Sequence, residues 1–132
     1  MPETPQITLM FVAVFVLMSL ALSVFVGLRR AKTGIMLLHG DDEELLKRIR
    51  AHGNFVEYVP LALLALAEAE IAGAPHWVLV GSGSVLLAAR VLHFAAFRGT
   101  ATGVGRLLGA LLTSIAMVVL SGAILLKSFG IF

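Results

Sequence analysis

The feature that most constrains this chain is a run of 22 residues without a charged side chain, Ile7–Leu28. A helix of that length rises about 33 Å, enough to cross a hydrocarbon core of about 30 Å. The only charged residue before it is Glu3, which argues against a cleaved signal peptide with its basic start. The whole chain is 59% hydrophobic and 14% charged, far more apolar than a soluble domain. The sequence therefore predicts an integral membrane protein whose first helix is Ile7–Leu28.

Further apolar runs predict a bundle. Three more helices are expected at about residues 42–72, 77–97 and 107–126. Asp41 is a plausible N-cap for the second helix, since acidic side chains favour a helix start. Pro60 lacks an amide proton, so we expect it to kink this helix. The sequence thus predicts an all-α fold, with residues 1–132 forming a single four-helix membrane domain.

The basic residues predict an orientation. If the four helices alternate in direction, nine of the ten Lys and Arg residues lie on the side of the first and third loops, and only Lys127 lies on the other. Cytoplasmic loops of membrane proteins carry an excess of Lys and Arg. We therefore expect the first and third loops to face the cytoplasm and both termini to lie outside.

A polar stripe interrupts the second predicted helix. Arg50, Asn54 and Glu57 are four and three residues apart, so they share one helix face, with Tyr58 on its flank. A charged side chain at membrane depth costs about 2.5–3.5 kcal/mol unless it meets a partner, water or a ligand. These groups complement a ligand that carries a carboxylate, an amine and peptide groups, such as a small peptide. A salt bridge that only locks helices together is the alternative.

A second stripe of polar and aromatic side chains is predicted on the third helix. Arg90 and His93 are three residues apart, and Phe94 and Phe97 lie close to them around the helix. The two polar residues could contact a ligand or pair with Glu57 of the neighbouring helix. For His93 a hydrogen bond inside the bundle is an equally good interpretation.

Arg106 lies where the third predicted loop meets the fourth helix. An arginine at this place could lower the pKa of a bound thiol. Because the chain has no cysteine, any such thiol must come from a substrate. The alternative is an ordinary basic anchor at the membrane surface, and spacing alone favours that anchor.

Other motifs predict no chemistry. His39 and His76 have no second ligand at helical spacing, so no metal site is expected. Gly103–Gly105 lacks the strand and lysine of a phosphate-binding loop, and neither a nucleotide nor a nucleic-acid partner is expected. Gly105 and Gly109 form a small-xxx-small pair, which favours close packing of helices.

These residues resemble a known family, the membrane-associated proteins in eicosanoid and glutathione metabolism (MAPEG), and are closest to its short bacterial members. The resemblance rests on R-A-H-G-N-F-V-E-Y-V-P-L at 50–61 and A-R-V-L-H-F at 89–94, within a four-helix layout. Members of the family are trimers that bind glutathione at subunit interfaces open toward the cytoplasm. The resemblance implies a homotrimer in a bacterial inner membrane, with glutathione as co-substrate.

The resemblance also implies residue roles. Arg106 would stabilise the glutathione thiolate. His93 and Phe97 stand where eicosanoid-making members carry tyrosines, so lipid-epoxide specificity is not implied. The residues implied to hold glutathione are Arg29, Arg50, His52, Asn54, Glu57, Tyr58, Arg90 and His93.

Three functional hypotheses follow. The leading one is a glutathione transferase, or a peroxidase, in which the thiolate attacks a lipophilic second substrate that enters from the membrane lipids. A small four-helix multidrug exporter has a similar size and one membrane glutamate. Such exporters bind lipophilic cations in an otherwise apolar site, whereas this chain places three arginines near Glu57. The third hypothesis is a non-catalytic membrane protein that binds glutathione or lipid.

Overall fold

A computed structural model describes residues 4–98 and 103–131, and within them the chain forms four α-helices and no strand. The helices are α1 (Gln6–Thr33), α2 (Glu43–Ile71), α3 (His76–Arg98) and α4 (Gly103–Ser128). The predicted all-α fold is confirmed. α1 and α4 run farther than predicted because those bounds followed the uncharged runs: basic residues in the last turn of each helix favour its continuation, and α4 also begins before Arg106.

Polar contacts at both ends hold α1 and α2 antiparallel. Arg29, near the end of α1, donates to Asp42, directly before α2, with an Nη2–Oδ2 distance of 2.9 Å. At the opposite end the Glu70 carboxylate accepts from the backbone N–H groups of Ile7 and Thr8, each at 2.8 Å. These N–H groups belong to the first turn of α1 and have no partner within their own helix. Glu70 therefore caps α1 from the end of α2.

Three helices are long and apolar enough to cross a membrane, and they are Gln6–Thr33, His76–Ala96 and Gly103–Ser128. The prediction of four spans is thus confirmed for three helices. α2 differs in composition because it carries charged side chains from Glu43 to Glu57 and again at Glu68 and Glu70, although it contacts α1 at both ends. It continues as a helix through Pro60 to Ile71, and the expected kink stays a prediction.

The residue that caps α2 is Asp42, so the prediction of Asp41 was wrong by one position. The helix begins at Glu43, and the Asp42 side chain accepts a hydrogen bond from the Leu45 backbone N–H at 2.7 Å. This hydrogen bond, followed by the contact with Arg29, holds the pKa of the Asp42 carboxyl below its usual value. Two adjacent aspartates cannot be distinguished by type alone, because the cap is decided by where the backbone becomes helical.

One face of α2 forms part of the apolar core. Its buried residues recur every three or four positions: Ala51, Phe55, Val59, Ala62, Leu66 and Ala69. Phe55 packs in one cluster with Phe15 of α1, Leu86 of α3 and Ala116 of α4. Full burial of a large apolar side chain is worth about 1.5–3 kcal/mol, so this face fixes the rotation of α2. The polar stripe is consequently held on the flank of the core.

α4 lies unusually close to α3 where Gly109 faces the last turns of that helix. A Cβ atom added to Gly109 would lie 2.9 Å from the Ala89 carbonyl oxygen and 2.9 Å from His93 Cβ. One added to Gly105 would lie 3.0 Å from Ala96 Cβ. The small-xxx-small pair is thus used for close packing within the chain.

We expect Gly109→Ala to destabilise the fold, because the added methyl group meets backbone and helix-anchored atoms that must move apart. Overpacking of this kind typically costs about 1–3 kcal/mol. The matched control is Gly122→Ala in the same helix, where an added Cβ meets nothing within 4 Å. That control should be neutral or gain up to about 1 kcal/mol from helix propensity. Thermal unfolding in detergent measures both, and equal melting temperatures for the two variants would contradict the close approach.

Candidate functional site

A cavity of about 750 Å³ lies between α2, α3 and α4. Its wall includes Arg50, Asn54 and Glu57 of α2, His93 of α3 and Arg106 of α4. The structure therefore brings together five of the site residues expected from the sequence, from three helices. The volume falls in the range of about 300–1,000 Å³ that is usual for small-molecule sites.

The local structure of α2 explains why its three side chains share this wall. Arg50, Asn54 and Glu57 follow one another by four and three residues, which keeps them on one side of a helix. Ala51 and Phe55, directly beside them in sequence, are buried in the bundle. Since the apolar face anchors the helix, the neighbouring polar face must turn toward the cavity.

The cavity wall carries more positive than negative charge. Lys47, Arg50 and Arg106 contribute three positive charges and Glu57 one negative charge, so the wall carries a formal net charge of +2. In the described part of the chain the ion pairs are Arg29–Asp42 and Arg48–Glu44. Neither Arg50 nor Glu57 therefore takes part in a salt bridge within residues 4–98 and 103–131. The alternative of a helix-locking salt bridge does not describe this arrangement.

Arg90 lies behind the cavity wall. Its side chain is in the core, with the residue only 3% exposed, and it is absent from the lining of the large cavity. Its Nη1 atom donates to Asn54 Oδ1 at 2.7 Å, and its Nη2 atom donates to the Gly109 carbonyl at 3.1 Å and to Thr113 Oγ1. Among the described residues it has no carboxylate partner, so the expected pairing with Glu57 is not formed within the chain.

Three other expected site residues lie outside the cavity wall of the single chain. The Arg29 guanidinium is bound to Asp42, where it joins the end of α1 to the start of α2. Tyr58 is 41% exposed on α2, and His52 is partly buried on the same helix. The side chain of Phe97 lies outside the described residues.

Two residues of the site were missed in the sequence. Lys47 lines the cavity and lies three residues before Arg50 on the same helix face, so the spacing rule could have found it. Thr113 is 1% exposed, and its hydroxyl accepts from Arg90 while donating to the Gly109 carbonyl at 2.8 Å. A single threonine in an apolar helix gave no signal, because the contact depends on how α3 and α4 are rotated against each other.

Comparisons with known proteins agree with the resemblance drawn from α2 and α3. The model of the MAPEG family matches residues 8–126. The inner membrane protein YecN of Escherichia coli K12 is 43% identical over 58 residues, and so is YecN of Escherichia coli O6:H1. Each match covers 44% of this chain and 44% of the relative, so less than half of either length is aligned.

Proposed function

Because this chain belongs to the MAPEG family, we propose that it is a membrane-bound glutathione transferase that conjugates glutathione to a lipophilic electrophile. The observation that carries the proposal is the cavity in which Arg50, Asn54 and Glu57 meet Arg106. Charged and polar side chains are costly inside a membrane protein, so a cluster of them in one cavity favours a polar ligand at that place.

The charges of the wall favour glutathione as that ligand. At neutral pH glutathione carries two carboxylates and one ammonium group, a net charge of −1, opposite in sign to the wall. Arg50 and Lys47 can bind carboxylates, and the Glu57 carboxylate can accept from the ammonium group. A lipophilic cation, the ligand of a multidrug exporter, would be repelled by the three basic side chains of this cavity.

The proposed reaction uses a thiol that the chain itself lacks. Arg106 at the cavity wall favours the thiolate over the neutral thiol, and the proton leaves to solvent. The sulfur then forms a bond to an electrophilic carbon, and the leaving group departs with the electron pair of the broken bond. In a peroxidase reaction the same thiolate would instead attack a peroxide oxygen: an S–O bond forms, the O–O bond breaks and an alkoxide leaves, so that glutathione is oxidised to its sulfenic acid and the peroxide is reduced.

We place the protein in a bacterial inner membrane, supported by the name of the relatives and by the apolar helices. The cavity lies near the start of α2 and the start of α4, which is the end of the bundle that holds the first and third loops. Since basic residues concentrate at this end, the positive-inside rule directs the cavity toward the cytoplasm. Both termini would then lie outside.

We further propose that the protein is a homotrimer. Glu57 lies 14 residues into α2, about 21 Å along the helix axis, and it is exposed in the single chain. Glu68, on the same side of α2, is also exposed. A charged side chain that faces hydrocarbon at the centre of a membrane costs about 2.5–3.5 kcal/mol. A neighbouring subunit would cover this face and close the open side of the cavity.

The trimer is tested by native mass spectrometry of the full chain in mild detergent. The expected mass is three times that of the chain, because the exposed charged face of α2 requires a protein partner. A predominant monomer or dimer under conditions that keep helix content intact would contradict the proposal.

Glutathione binding is tested by calorimetric titration. We expect Glu57→Gln and Arg50→Ala each to weaken binding by about 30-fold or more, since losing one partner of a desolvated charged contact costs about 2–5 kcal/mol. The control is Glu43→Gln, which neutralises an exposed glutamate in the first turn of the same helix, outside the cavity. Normal binding by both cavity variants would show that the polar stripe is structural.

Arg106 is expected to contribute to the reaction rate and much less to glutathione affinity. A free thiol has a pKa of about 8.5, and a nearby guanidinium can lower it by about one to three units. Arg106→Ala should leave glutathione affinity within a few-fold and cut conjugation at pH 7 by tenfold or more. Raising the pH should restore part of the rate, because the thiol then ionises unaided. Lys32→Ala, which removes an exposed charge outside the cavity, is the control, and full turnover of Arg106→Ala at pH 7 would refute the assignment.

A further inference from the structure

Arg90 is the point at which three helices meet through hydrogen bonds. From α3 it reaches Asn54 of α2 with one terminal nitrogen and Gly109 and Thr113 of α4 with the other. All three acceptors are neutral oxygens. The planar guanidinium has donors that point in fixed directions, so it can hold two helices in one relative orientation, whereas the three donors of an ammonium group rotate freely.

The hydrogen bonds on the α4 side orient the guanidinium through its terminal nitrogen, while its buried Nε atom has no partner among the described residues. Thr113 Oγ1 accepts a hydrogen bond from Arg90, and the Thr113 hydroxyl donates one to the Gly109 carbonyl, which also accepts from Arg90. The fork is thereby fixed against the backbone of α4. Its second terminal nitrogen is consequently fixed as well, and that nitrogen meets Asn54 Oδ1 at 2.7 Å.

Asn54 has one acceptor oxygen and one NH₂ group in its side chain. The oxygen is bound by a charged donor, which makes the hydrogen bond short and strong. The same residue lines the large cavity. We infer that Arg90 is a positioning residue, which holds the Asn54 oxygen away from the ligand so that Asn54 offers only N–H donors to the cavity.

This assignment specifies which part of a ligand can lie against Asn54. The assignment rests on the proposed function. It means that Asn54 contacts a carboxylate or a peptide carbonyl of glutathione and does not bind the ammonium group. Arg50 and Arg106 on the same wall are also donors only, which leaves Glu57 as the charged acceptor of the wall. The ammonium end of the ligand is therefore directed to Glu57, and Arg90 sets this polarity without touching the ligand.

The first arm of the test needs no ligand. Asn54 is the only asparagine of the chain, so selective ¹⁵N labelling of asparagine side chains gives a single NH₂ signal without further assignment. A donor bound to the amide oxygen strengthens the double-bond character of the C–N bond and slows rotation of the NH₂ group. Arg90→Met should therefore shift the Asn54 signal and accelerate the exchange of its two protons.

The matched control for this arm is Thr113→Val, which removes a hydrogen-bond partner of Arg90 on α4 and leaves Asn54 Oδ1 in place. Because the Gly109 carbonyl and Asn54 Oδ1 still accept from Arg90 in this variant, the Asn54 signal should change less than it does in Arg90→Met. An Asn54 NH₂ group that rotates equally fast with and without Arg90 would overturn the inference.

The second arm is a double-mutant cycle on glutathione affinity in the full assembly. Arg90→Met and Asn54→Ala should each weaken binding about tenfold or more, and the double variant should be no weaker than the weaker single variant. Losses that multiply in the double variant would mean that Arg90 does not act through Asn54, and would overturn the inference. A merely structural role predicts such multiplication.

Asn54→Asp provides a variant that keeps the core intact. The carboxylate still accepts from Arg90 but offers the cavity an acceptor in place of two N–H donors. It should weaken glutathione binding about tenfold or more, and unchanged affinity would refute the donor assignment even if Arg90→Met fails to fold. If the unsubstituted protein binds no glutathione, the proposed function fails, while the NMR arm still decides whether Arg90 orients Asn54.

Discussion

The structure depends on how a buried arginine is satisfied inside an apolar helix bundle. Arg90 has no carboxylate partner within the described residues and is held by an amide, a carbonyl and a hydroxyl oxygen from α2 and α4. A cation in this position is costly unless several oriented acceptors surround it. The bundle offsets this cost because the polar part of α2 and the first half of α4 place hydrogen-bond acceptors beside Arg90 of α3. The cavity is the space left beside this junction.

The part of the site that lies on one helix was predictable from the sequence. Arg50, Asn54 and Glu57 are related only by the helical repeat, which fixes their common face whatever the surrounding fold. For Arg90 the sequence left two interpretations open, because a ligand contact and a buried hydrogen-bonding role require the same residue type in the same helix. Which of the two applies depends on the rotation of α3, and that rotation is set by Leu86 and its neighbours in the core.

The ends of the helices were less predictable from the sequence than the helices themselves. The existence of α1, α3 and α4 follows from apolar runs that are long enough to cross a membrane, whereas α2 was expected from its helix start and the helical spacing of its polar stripe. Their ends follow from single hydrogen bonds, such as the one from the Leu45 N–H to Asp42, and these depend on backbone angles that the residue types do not determine. Likewise, the capping of α1 by Glu70 joins positions more than 60 residues apart. A contact of that range requires the packed bundle, so local pattern cannot reveal it.

Gly109 links the packing of the bundle to the chemistry proposed for the cavity. The absence of a side chain lets α4 approach α3 until an added Cβ would lie 2.9 Å from a backbone oxygen, and the carbonyl of the same residue accepts from Arg90. Arg106 lies three residues earlier, almost one turn along α4, and is part of the cavity wall. Asn54 is fixed from the other side by the same Arg90. Core packing therefore positions both Asn54, which is proposed to hold the ligand, and Arg106, which is proposed to activate its thiol, so we expect a substitution deep in the bundle to affect the proposed activity without touching a ligand.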